Sequence, residues 1–192
     1  MRVKPEIRIL GVDDAPFSFD DDTTALIGCL FRGGRQIEAV LRRDITVDGH
    51  DADDKIVSMV NDSRQTDQIQ VIMLDGVSFA GFNVPDIEHI HEATCKPVIA
   101  VSRRRPDRAD LEAALDNVDD RDDRLARIEK AGEVSRLATD DGELYYQTRG
   151  IDPEDAEQVI KTALRRGNVP EPVRVAHLVA AGVTTGESKG NP

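Results

Sequence analysis

Two acids stand where short apolar runs end, and their placement suggests metal chemistry. Val71-Ile72-Met73-Leu74 is too short for a helix and suits a fully buried strand; it stops at Asp75, followed by Gly76. Near the N-terminus, Ile7-Arg8-Ile9-Leu10-Gly11-Val12 runs into Asp13-Asp14 in the same way. Ligands collect beyond the carboxyl ends of the strands of an open α/β sheet. If the two strands are central neighbours, Asp13 and Asp75 emerge side by side. Two carboxylates so placed repel unless one holds a proton or a cation lies between them. Hard oxygen donors of this kind suit Mg²⁺ or Mn²⁺. The plain alternative for each acid is a cap on the turn that follows.

Composition limits what else the chain can be. Its 192 residues make one domain, 1–192, with a polar tail from about residue 184. Formal charge is −12, charged residues make up 32%, aromatics only 4%, and tryptophan is absent. An acidic balance argues against broad attraction to nucleic acid, which rests on Lys and Arg, but leaves room for a local basic patch. Surplus Asp also suits a salt-rich (halophilic) cytoplasm, where charge repulsion is screened. No signal peptide or apolar span of membrane length is present, so the expectation is a soluble cytoplasmic protein with no membrane partner. Arg103-Arg104-Arg105 is the dense basic run, and it follows a strand on the edge where the acids emerge. That placement suggests a phosphate site, against a solvated turn.

The elements that must position these residues are readable in order. After the first strand, 23–32 and 36–47 form a hairpin about Gly33-Gly34. A helix over 51–64 has acids in its first turn, where the helix dipole favours them. The strand 69–74, a short helix 85–93 and a strand 96–102 follow. A charged helix runs from 107 to about 130, then a hairpin over 133–139 and 143–150, and helices over 153–166 and 172–181. With strands numbered in chain order, this is a ribonuclease H-like α/β arrangement: a mixed five-stranded sheet ordered 3-2-1-4-5, flanking helices, and an extra C-terminal hairpin and helices. The first and fourth strands are neighbours, as the two acids require.

Three segments carry a resemblance: Gly11-Val12-Asp13-Asp14-Ala15-Pro16-Phe17, Leu74-Asp75-Gly76-Val77-Ser78-Phe79-Ala80-Gly81-Phe82-Asn83, and Pro170-Glu171-Pro172-Val173-Arg174-Val175-Ala176-His177. Together they resemble an uncharacterised, mainly archaeal family distantly similar to endonuclease V, over roughly residues 6 to 190. Endonuclease V is a Mg²⁺-dependent nuclease that cuts near deaminated bases. The resemblance implies that Asp13 and Asp75 hold metal and that His177 assists as ligand or proton carrier. It also implies that Arg174 and Arg103 steady a phosphate, Arg103 standing where the nuclease has Lys. The nuclease's middle Glu is missing; Asp48 or Asp51 is the available substitute, and Asp51 is equally a helix N-cap. The nuclease's aromatic wedge is also missing, so inosine specificity is not carried over. The expected activity is metal-assisted phosphodiester hydrolysis of DNA or RNA; the alternative is a non-catalytic module of the same fold that binds nucleic acid, a nucleotide or a protein partner.

Other residues have plainer readings. Asp14 caps or backs the site. His177 has the alternative of a helix histidine held by a backbone carbonyl. His89 and His91 are two apart, on different helix faces, and read as structural. Asp20-Asp21-Asp22 lacks the ligand spacing of a calcium loop and reads as solvated. Phe79 and Phe82 either stack on a base or pack beneath the loop. Cys29 and Cys95 have no CxxC spacing and read as buried free thiols.

Overall fold

The run from Val71 to Leu74 is fully buried, as its composition demands, and forms the middle strand of a seven-stranded sheet. The structure is a computed structural model that describes residues 3–115, 118 and 120–189. In chain order the elements are β1 (Arg8–Asp14), β2 (Thr23–Arg32), β3 (Gln36–Thr46), α1 (Ala52–Asn61), β4 (Val71–Asp75), α2 (Ile87–Thr94) and β5 (Val98–Ser102). Then come α3 (Arg108–Leu115), α4 (Arg121–Lys130), β6 (Ser135–Thr139), β7 (Gly142–Arg149), α5 (Pro153–Ala163) and α6 (Glu171–Thr185).

The sheet order is β3-β2-β1-β4-β5-β7-β6. The expected 3-2-1-4-5 block is therefore present, with β1, β4 and β5 parallel and β2 and β3 antiparallel. The correction is that the C-terminal hairpin is no separate appendage. β7 pairs antiparallel along β5, and β6 closes the row. Without it, β5 would present a row of unpaired backbone groups at an edge. At the other end, Gly33 and Gly34 take φ of 56° and 62°, the paired positive values of a type I′ hairpin turn.

Side chains alternate between two cores. Leu10, Val12, Ile72, Leu74 and Ala100 face α1 and α2. Ile9, Val71, Met73, Ile99 and Val101 face α5 and the start of α6. The rest of α6 lays Ala176 and Ala180 over Ile27, Cys29 and Phe31.

Two helices depart from expectation. The charged stretch 107–130 is not one helix: Val118 and Asp120 are non-helical, and Asp120 takes φ +60°, which an α-helix cannot accommodate. Residues 116, 117 and 119 of that expected helix lie outside the described residues. The last helix is longer than its sequence pattern indicates, opening on a proline in its first turn and ending at Gly186, with φ +83°. Among the described residues no helix is long and apolar enough to cross a membrane.

Candidate active site

Val12 pairs with Leu74 across the parallel β1–β4 ladder, so the next residues on the two strands, Asp13 and Asp75, lie side by side at the carboxyl end. α6 completes the group. It rests on β1 at Pro172 and Val173 and on β2 at Ala176, and this brings His177 over the strand end. His177 Nδ1 lies 2.8 Å from Asp13 Oδ2. Ligand atoms of Asp13, Asp75 and His177 all lie within 4.8 Å of one another, the one such metal-sized group among the described residues.

The close approach depends on Gly11. A methyl there would overlap the Pro172 carbonyl and lie 2.6 Å from Val173 N. The first turn of α6 therefore rests directly on the β1 backbone, and no larger residue leaves it room. The sequence carries this signal in a glycine placed inside an otherwise apolar strand.

Asp13 is only 5% exposed. Burial is the main reason its pKa is pushed up to about 7, with the charges of Asp75 and Asp14 adding to the rise and the bond from His177 opposing it. Burial likewise raises Asp75, against the charges of Arg103 and His177. His177 is raised above the usual imidazole range, first by its hydrogen bond to Asp13 and further by the charges of both acids. The cluster is thus short of positive charge, and its carboxylates hold protons more tightly than free ones do. Two carboxylates and an imidazole facing one another fit a divalent cation, with Mg²⁺ or Mn²⁺ suited by the oxygen donors.

Asp14 does not join the three. Its Oδ2 accepts from Ala80 N at 3.0 Å, tying the end of β1 to the loop after β4. Asp48 and Asp51 also have other partners. Asp48 Oδ1 accepts from Phe82 N at 2.9 Å. Asp51 accepts from Thr46 N and Oγ1 and, at 2.7 Å, from Asn83 Nδ2. Asp51 makes no side-chain cap bond to α1; Asn83 Oδ1 takes the Ala52 amide at 3.0 Å instead. Arg124, buried at 3% exposure, fastens the same loops from α4, donating to the carbonyls of Asp48 (2.7 Å), Gly49 (3.1 Å) and Phe82. The supporting roles of Asn83 and Arg124 are not visible in the sequence, because their partners are backbone groups of distant loops.

Among the basic candidates, Arg103 is exposed and close enough for its charge to act on Asp75 and His177. Arg174 is held by Glu171, through Nε and, at 2.9 Å, Nη2. His91 Nδ1 lies 2.8 Å from Lys96 O, and His89 faces Asp54 at 3.7 Å, in keeping with structural and surface roles. Phe79 is buried at 1% exposure and belongs to the core, which leaves no face for a base. Phe82 is half-buried on the same loop. Asp21 Oδ2 accepts from Ser18 N in an exposed turn. Cys29 is buried as expected. Cys95 is exposed, correcting its reading as a buried thiol: it is the C-cap of α2, with φ +55°, outside the strand its neighbours suggest.

Comparison with known proteins adds four likenesses. The profile of one protein family, described as endonuclease dU, matches residues 5–184. A protein of Methanopyrus kandleri, known as UPF0215 protein MK0057, is 45% identical over 191 residues, 98% of this chain and 97% of its own. A crystal structure of a protein of unknown function from Archaeoglobus fulgidus superposes with a TM-score of 0.81 at 41% identity, covering 92% of this chain and 97% of that one. Endonuclease V of Bacillus subtilis shares the fold, with a TM-score of 0.65 at 14% identity over 95% of this chain and 84% of its own.

Proposed function

The chain belongs to the endonuclease dU family, and on that premise we propose that it is a divalent-metal-dependent nuclease that hydrolyses nucleic acid phosphodiesters. The observation that carries this reading is the convergence of Asp13, Asp75 and His177 at the end of the two central strands. Asp13 and Asp75 hold the ion, with His177 as the third member of the set. A bound cation there supplies charge against the phosphoryl oxygen and acidifies an attacking water. His177 Nδ1 lies 2.8 Å from Asp13 Oδ2 without the ion, and His177 would have to give up the proton on its ligating nitrogen to hold the ion. Arg103 steadies the phosphate beside Asp75. Arg174 does so through the guanidinium nitrogen that Glu171 does not occupy. Asp48 and Asp51 take no part in holding the ion, since their oxygens fix the loops.

The dU of the family's name, read as deoxyuridine, makes a uracil-containing strand the first substrate to test, with inosine-containing and undamaged DNA and RNA beside it. With Mg²⁺ or Mn²⁺, wild-type protein is expected to cut at least one of these, and Asp13→Asn and Asp75→Asn to reduce cutting by a hundredfold or more, on the order of the loss when a group acting in the transition state is removed. Binding without cutting under every condition would make the protein a non-catalytic module.

A further inference from the structure

The sheet continues past the acids, and its far end differs in chemistry from the rest of the molecule. Asp75 pairs with Val101, and Val101 with Tyr146, which pairs with Ser135. One residue further out, Ser102, Tyr145 and Arg136 stand in a row across β5, β7 and β6. Paired residues share a face, so these three side chains line up at right angles to the strands. At a strand spacing of about 4.8 Å, the row leads roughly 14 Å outward from β4.

The path into this row is open. A Cβ on Gly76 would meet nothing within 4 Å. Behind Gly76 lies a recess of about 230 Å³, bordered by Ser78, Ser102, Arg105, Tyr145 and Gln147. A second, more open hollow continues it, between Arg105, Val134, Arg136 and Tyr145. Val134 is 38% exposed, one of few large apolar side chains so exposed. Arg105 and Arg136 thus line one hollow with the Tyr145 ring, and both are near enough for their charges to act on its hydroxyl. Arg103 and Arg104 stand on the same rim, both exposed. One carboxylate lies among them: Glu143 pairs with Arg136 at 2.7 Å and accepts from Tyr145 Oη at 2.8 Å. In a chain of charge −12, arginines grouped around an accessible tyrosine ring at the mouth of the acid site have one partner chemistry in common. They suit alternating phosphates and bases of an unpaired strand, for which aromatic platforms in cationic grooves are the general solution.

We infer that single-stranded nucleic acid crosses this end of the sheet, running from the acids over β5, β7 and β6, with a base stacked on Tyr145 and phosphates on Arg105 and Arg136. The inference rests on the reading of Asp13 and Asp75 as the phosphodiester site, which sets where the strand begins. In a duplex the base faces are stacked on one another, so none can lie on Tyr145 without unstacking.

The test is fluorescence anisotropy in EDTA, where metal-dependent cutting is silent, using labelled dT15, U15 and a blunt 15-base-pair duplex. Wild-type protein is expected to bind at least one single strand tighter than the duplex. Tyr145→Ala should weaken that binding at least about tenfold, the worth of one stacked base, and Tyr145→Phe, which keeps the ring, should stay within about threefold. Arg105→Gln and Arg136→Gln should each lower the slope of log affinity against log salt by about 0.7, the value of one single-strand phosphate contact. Unchanged binding by Tyr145→Ala, equal loss on the duplex, or no single-strand binding by wild type would overturn the inference. Since no cutting is measured, a failed nuclease assay with the single-strand preference intact would count against the proposed function and leave the track standing.

Discussion

Asp13 and His177 meet across a 2.8 Å hydrogen bond, where burial leaves the carboxylate with little solvent and a second acid stands beside it. The sign of the consequence follows from linkage. Asp13 has a folded pKa of about 7 against 3.8 for the free group. Its contribution to stability is therefore present below pH 3.8 and lost as the pH rises through 7. His177, also raised, contributes stability that is complete below its ordinary 6.5 and is lost as the pH rises through its higher folded value. Both act in the same direction. In EDTA, the melting temperature of wild type measured against Asp13→Asn should fall steadily between pH 5 and pH 8. Ligand groups must shed protons to take a metal, so the rise in melting temperature on adding Mn²⁺ should be larger at pH 8 than at pH 6. A Mn²⁺ effect independent of pH would show that these groups do not bind the ion.

At the level of elements, the contact of α6 with β1 decides whether the three groups meet. Gly11→Ala places a methyl against the Pro172 carbonyl. It should destabilise the protein by about 1–3 kcal/mol, the usual cost of overpacking, and should diminish the Mn²⁺-induced shift by moving His177 away. Gly182→Ala is the control: it lies in the same helix with nothing within 4 Å of the new methyl, and should stabilise by about 0.5–1 kcal/mol. Chemical denaturation of both variants checks the pair; loss of stability in both would show that the α6–β1 contact is not the cause. The same contrast explains what was readable beforehand. β1, β4 and β5 are buried strands, written as local apolar runs, and the glycine turn of β2–β3 announces itself, so the central sheet and the meeting of Asp13 with Asp75 could be foreseen. The docking of β7 on β5 depends on a partner more than 40 residues away, as in Ser102↔Tyr145 and Val98↔Arg149, and no local pattern encodes it. Asp51 fits the N-cap pattern, yet Asn83 takes the Ala52 amide because the loop after β4 folds back across it. Arg124 looks like one more charge on a surface helix until the carbonyls of Asp48, Gly49 and Phe82 surround it.

The whole molecule carries −12 charges on 192 residues, and much of that charge repels itself when poorly screened. The screening length falls from about 10 Å at 0.1 M salt to about 3 Å at 1 M. Melting temperature should therefore rise between 0.1 and 1 M KCl, while affinity for single strands falls over the same range because their phosphates are displaced from the arginines. A calorimetric series in KCl reads the first effect; a falling melting temperature would show that paired charges outweigh the net repulsion. Asp13 and His177, which touch at 2.8 Å, are separated by 164 positions in the chain. During synthesis the acids leave the ribosome early and wait for a histidine made near the end. Any product cut short before α6 has both acids but lacks His177 and the helix that rests on Gly11, so the centre proposed for the finished protein is not assembled in it.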